Sequence, residues 1–137
     1  MPELVSSSEE QAARRWPRRA AKAAKVSLAL ERFVGWARSK YDLKLLILFG
    51  SYADGTFHLD SDVDVLVVAA GMPEGWGMRR VALEQFGFPA PLQTFRYTPE
   101  EFLDMCNGGS GIAFSALTEG QVLYIDPCYR RQLLEAL

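Results

Sequence analysis

The amino-acid sequence predicts an α+β fold with α/β-like layers: a mixed sheet with helices packed mainly on one face. Apolar, strand-like runs alternate with helical stretches along the 137 residues, the arrangement of sheet-and-helix layers. Two of those runs, residues 45–49 and 63–68, are almost wholly apolar, as in strands buried on both faces. The link between them, residues 50–61, has room for a turn of helix but not for a crossover. The two strands are therefore expected to be antiparallel. The length suits one compact domain with a sizeable core.

Ser7 followed three positions on by Glu10 matches a capping box, so a helix is expected to start near Ser8. Pro17 cannot donate a backbone hydrogen bond and predicts a kink or a restart there. Residues 18–40 are Ala-rich and favour helix. Val26, Leu30, Phe33, Val34 and Ala37 fall on one helical stripe, with Arg32 and Arg38 elsewhere, so this helix should pack on the sheet. After the two strands, residues 71–77 read as a loop, with Pro73 and two further glycines. Residues 78–86 suit a short helix ended by Gly87. Pro89 and Pro91 bracket a turn before a third strand at 92–97. Thr98-Pro99-Glu100-Glu101 combines an N-cap threonine, a proline at the first helical position and acids in the first turn. That helix should run to about Cys106 before the glycines at 108, 109 and 111 break it. A short helix at 112–118 closes at Gly120, a strand follows at 121–125, and a helix at 129–137 ends the chain.

Composition is that of a soluble globular protein, with 49% hydrophobic and 23% charged residues. No apolar run approaches the roughly 18 residues that cross a bilayer, and the polar start, SSSEEQ, lacks the apolar centre of a secretion signal. A cytoplasmic location without membrane attachment is expected. Cys106 and Cys128 are too few for a disulfide framework and read as reduced thiols. The net charge of −2 is unevenly placed, at +5 over residues 1–40 and −7 over residues 41–137. The basic residues between 14 and 25 are read either as the solvated side of a helix or as a surface for nucleic acid or an acidic partner.

The chemistry concentrates in the stretch LKLLILFGSYADGTFHLDSDVDVLVV. Asp62 and Asp64 are two apart on a strand-like segment, so their carboxylates should aim at one spot. Two anions there repel unless a cation joins them. Gly50 lets the backbone turn sharply and approach a phosphate closely, and Ser51 offers a hydroxyl and an N–H at the same place. Paired carboxylates facing such a turn suit Mg2+ and a phosphate chain. Gly-Ser alone and Asp-x-Asp alone are weak signals. Gly-Ser ending one apolar strand, with Ser-Asp-x-Asp opening the next ten residues later, is a strong one.

The segment FGSYADGTFHLDSDVDVLVV resembles the nucleotidyltransferase superfamily typified by DNA polymerase β, and most nearly its small single-domain members, the minimal nucleotidyltransferases. The residues that carry the likeness are Gly50-Ser51, Ala53, Gly55 and Ser61-Asp62-x-Asp64, with YTPEEF at 97–102 and ALTEGQVLY at 116–124. The likeness covers roughly residues 28–126. It implies the polymerase β-like fold, with Asp62 and Asp64 as catalytic metal ligands for Mg2+ and Gly50 and Ser51 holding the phosphates of ATP. The implied reaction transfers a nucleoside monophosphate, usually AMP, to a hydroxyl of a protein or RNA and releases pyrophosphate. Many such proteins pair with a small helical HEPN-domain partner in toxin–antitoxin modules, where some act as the antitoxin by AMPylating the toxin. On this reading residues 1–25 are a basic helical extension and residues 26–137 the nucleotidyltransferase domain.

Two positions depart from the family pattern. A third carboxylate often stands on the strand before the TPEEF helix, where this chain has Gln93, and Asp54 stands where many relatives have Arg or Lys. A neutral amide is a poor substitute for a carboxylate on Mg2+ or as a base. Glu84, Glu100 and Glu101 are the acids that folding would have to bring there instead. An alternative reading follows: a nucleotide-binding module with weak or no catalysis that acts by binding a HEPN-type partner. A third is a nucleic-acid-binding accessory using the basic helix. His58 is read either as a contact to a phosphate or the nucleotide base or as a surface residue, Arg96 as a phosphate contact or facing water, Tyr52 as stacking on a base or covering the loop, and Trp76 as a partner or substrate surface or packed over the core.

Overall fold

The computed structural model describes residues 7–75, 78–79 and 87–137. A helix, α1 (Ser7–Lys40), leads into strand β1 (Asp42–Phe49), a single helical turn α2 (Ser51–Asp54) and strand β2 (Val63–Ala70). Strand β3 (Leu92–Tyr97), helices α3 (Pro99–Asn107) and α4 (Gly111–Glu119), strand β4 (Gln121–Ile125) and helix α5 (Pro127–Ala136) follow. Trp76 and Glu84, and most of the helix expected at 78–86, lie outside the described residues. Among the described residues, no helix is long and apolar enough to cross a membrane.

The sheet is mixed, in the order β3-β2-β1-β4. Strands β1 and β2 are antiparallel, as their short link requires, and β1 and β4 are antiparallel too. Strands β2 and β3, separated by a longer connection, are parallel. The period-2 alternation of β1 and β2 sends Leu46, Leu48, Val63, Val65 and Val67 to one side and Leu45, Ile47, Leu66 and Val68 to the other. Both sides are buried, which is why these strands read as unbroken apolar runs. Three helices, α3, α4 and α5, cover the second side through Phe102, Ala113, Ala116, Tyr129 and Leu133. Helix α1 packs on the first side through Val26, Leu30, Phe33 and Ala37, the stripe expected from their spacing.

Some boundaries differ from expectation. Helix α1 does not restart at Pro17 but continues through it. A proline removes one hydrogen bond, and the Ala-rich turns that follow, together with the stripe docked on the sheet, keep the helix going. Strand β1 begins three residues before the apolar run, because an irregularity between Leu43 and Leu45 lets Lys44 turn outward to Asp42, 3.1 Å away. Helix α5 starts at Pro127 rather than Tyr129. Asp126 caps it by accepting from the Tyr129 N–H at 3.0 Å, the same cap-and-proline start that marks α3. In α3 the capping box is complete: Thr98 Oγ1 accepts from the Glu101 N–H at 3.1 Å, and Glu101 accepts from the Thr98 N–H at 2.7 Å.

Candidate active site

The C-terminal end of β1 and the N-terminal end of β2 meet through the register pair Phe49–Asp64. Gly50 leaves β1 at φ 75° and ψ −156°, a region open essentially to glycine alone. The carboxylate of Asp64 lies against its Cα, so that a Cβ at position 50 would collide with Asp64 Oδ2. Register thus brings the Gly-Ser turn and the second aspartate into contact. Within α2, the carbonyl of Gly50 accepts from the N–H groups of Ala53 and Asp54 at 3.0 and 3.2 Å. The N–H groups of Ser51 and Tyr52 have no acceptor within that turn.

Asp64 is half-buried on β2, whereas Asp62 is exposed and sits just before the strand rather than on it. Asp64 Oδ1 is buried without a hydrogen-bond partner. Its carboxyl is pushed above the usual range, first by burial and then by the charge of Asp62. The two acids are therefore close enough to repel. Beside Asp64 on β3 stands Gln93, its register partner on the parallel strand and an exposed residue. Among the described residues, no three His, Cys, Asp or Glu side chains converge as metal ligands. Glu100 and Glu101 lie just beyond the opposite end of β3 from Gln93. Glu101 is also held by Arg79 at 2.8 Å, so neither acid reaches the site.

The loop from α2 to β2 is closely tied. Asp54 accepts from the N–H and the hydroxyl of Thr56, at 2.9 and 2.5 Å, and these bonds lower its carboxyl. Its charge is spent on the turn. The His58 N–H donates to Ser61 Oγ at 2.7 Å, and the residue is exposed. The ring of Tyr52 stacks on Phe57 at 4.3 Å and 12°, so it covers the loop. Arg96 extends from β3 in the register of Val67, on the α1 side and away from Asp64, and donates to Thr94 Oγ1 at 2.7 Å. Two contacts to this region had no signal in the sequence, because their partners are far apart in the chain. Arg19 Nη2 donates to the Gly55 carbonyl at 2.9 Å, and Gln121 Nε2 to the Ala53 carbonyl at 3.0 Å.

The pattern of the nucleotidyltransferase domain family matches residues 30–105, more than half of the chain and all of the turn-and-aspartate site. The chain belongs to that family. A curated relative from Methanocaldococcus jannaschii, named "Putative protein adenylyltransferase MJ0604", is 48% identical over 42 residues. That stretch is 29% of this chain and 42% of the relative's length. A crystal structure from Sulfolobus solfataricus, described as a "putative nucleotidyltransferase", superposes with a TM-score of 0.56 at 16% identity. It covers 78% of this chain and 86% of that one, a likeness of fold. A toxin–antitoxin structure with AMP-PNP gives 0.48 at 20% identity, covering 77% of this nucleotidyltransferase domain chain and 82% of that chain.

Proposed function

We propose that the chain is a Mg2+-dependent nucleotidyltransferase that moves AMP from ATP to a hydroxyl of a protein or RNA acceptor. The observation that carries this reading is the Asp64 carboxylate, set against the Gly50 turn with an unpartnered buried oxygen. A half-buried anion beside a second anion is costly unless something positive joins them. Two carboxylates are hard oxygen donors that fit one Mg2+, with water and phosphate oxygens completing its shell. Asp62 and Asp64 would hold that ion, which would supply charge neutralisation to the triphosphate.

The remaining work belongs to the chain itself. Gly50 and Ser51 receive the phosphates by close backbone approach, the Ser51 hydroxyl and the two N–H groups left over in α2. The acceptor oxygen forms a bond to the α-phosphorus as the bond from that phosphorus to the bridging oxygen breaks. Pyrophosphate leaves with the electron pair, and the hydroxyl proton passes to water. Positioning and charge compensation account for most of the rate in such transfers.

Gln93 beside Asp64 favours a second reading, a nucleotide-binding module that acts as an antitoxin by capturing a HEPN-type partner, with little catalysis. Incubation with labelled ATP, Mg2+ and the neighbouring gene's product separates the two. Label on the partner that disappears with Asp62→Ala supports the transferase. A stable complex that survives Asp62→Ala without label supports the module, and neither label nor nucleotide binding would overturn both.

A further inference from the structure

Arg19 of the N-terminal helix reaches the loop beside the site. The Arg19 guanidinium lies 4.8 Å over the Phe57 ring and donates through Nη2 to the Gly55 carbonyl. Phe57 in turn stacks on Tyr52, the residue after Ser51. Lys22, one turn further along α1, reaches the Pro89 carbonyl at 3.1 Å. Arg19 thus grips the loop at its first and third residues, Gly55 and Phe57, and that loop ends at Asp62 four residues after His58. The far side of the loop is closed by the His58–Ser61 bonds, and α2 is held from below by Gln121. Arg19 thereby ties α1 to the stacked pair that adjoins the Ser51 turn.

We infer that Arg19 is a positioning residue for the phosphate-binding turn, acting through Phe57 and Tyr52, so that the basic N-terminal segment is a working part of the site. The inference rests on the reading that Gly50 and Ser51 hold phosphates. Its physical basis is pre-organisation: a turn already held in its binding geometry loses less freedom when the ligand arrives. A charge-assisted hydrogen bond and a cation–π contact made by one side chain give that hold direction as well as strength.

Arg38 provides an internal control. Its guanidinium lies 4.6 Å over the Tyr124 ring, the same kind of contact from the same helix, about 28 Å along α1 from Arg19. Titration calorimetry with a non-hydrolysable ATP analogue and Mg2+, and separately with tripolyphosphate and Mg2+, is carried out on the full chain. Arg19→Ala should weaken both ligands about tenfold, Arg19→Lys should recover most of the loss, and Arg38→Ala should change neither. Equal weakening by Arg19→Ala and Arg38→Ala would assign the effect to general loosening of α1 and overturn the inference. So would unchanged affinity in Arg19→Ala. Absence of uptake by the unaltered chain would instead overturn the nucleotide reading itself, and this inference with it.

Discussion

Asp64→Asn should make the metal-free protein more stable, not less. In the folded chain the Asp64 carboxyl has one buried oxygen with no partner and the other pressed against Gly50. Leaving such a group unsatisfied costs about 1–3 kcal/mol, and for a half-buried side chain the lower end applies. The asparagine amide removes the charge and its repulsion with Asp62, so a gain of about 1 kcal/mol is expected, or about 4 °C in Tm for a chain of this size. Because the folded carboxyl lies above its ordinary value, the folded state binds that proton more tightly than the unfolded chain. Stability then falls as pH rises through the interval between the two values, and the penalty is complete above it. The difference between the two proteins should be full above that interval and vanish in acid below it. Thermal melts in EDTA across pH read it directly. Mg2+ with ATP at about 100 times Kd should add ~2.7 kcal/mol to the unaltered protein and little to Asp64→Asn. Melting of Asp64→Asn at or below the unaltered protein in EDTA, at a pH above that interval, would refute the reasoning, since it would mean that the carboxylate already has its partner.

Gly120→Ala should cost about 1–3 kcal/mol, because a Cβ there would strike the Ile47 side chain and the Ala116 carbonyl; urea titration with an unchanged m-value checks it. Glu101→Gln keeps an acceptor for the Thr98 N–H but loses the charge facing Arg79. Burial raises the Glu101 carboxyl, yet the bonds from Thr98 and Arg79 outweigh it and leave it lowered. Its contribution is therefore present above the ordinary carboxylate value and lost as pH falls through the lowered one. The gap between variant and parent should close in acid denaturation profiles. Gln93→Glu should tighten Mg2+ binding several-fold, on the order of 1 kcal/mol, by adding a charged oxygen beside Asp64, as read by calorimetry with MgCl2. Unchanged affinity would show that position 93 does not face the ion.

What was legible in the sequence was local or strictly periodic. The stripe of α1, the caps of α3 and the last strand at 121–125 follow from neighbours a few residues apart, and each stands where its spacing placed it. The antiparallel pairing of β1 and β2 followed from the length of one loop. The division of helices between the two sides of the sheet was only partly legible. Both strands are apolar on both sides, so periodicity does not say which helix covers which. The Arg19 and Gln121 contacts span 36 and 68 residues, and a cation in a run of cations carries no mark of the one aromatic ring it will find.

The site itself illustrates why spacing can be more informative than the residues it separates. Gly-Ser ends one strand and Asp-x-Asp begins the next, and the sheet register pairs Phe49 with Asp64. That pairing puts a carboxylate where the residue after Phe49 would otherwise carry its side chain. Gly50 is therefore required twice, by its backbone angle and by the oxygen that fills the space of the missing Cβ. Neither dipeptide alone has that consequence. Only their separation by a loop of this length, between strands in this register, makes the glycine and the aspartate parts of one cradle. A chain that kept both motifs but slipped the register by one residue would turn Asp64 to the opposite side of the sheet, among the side chains that α1 buries, and lose the site with its composition intact.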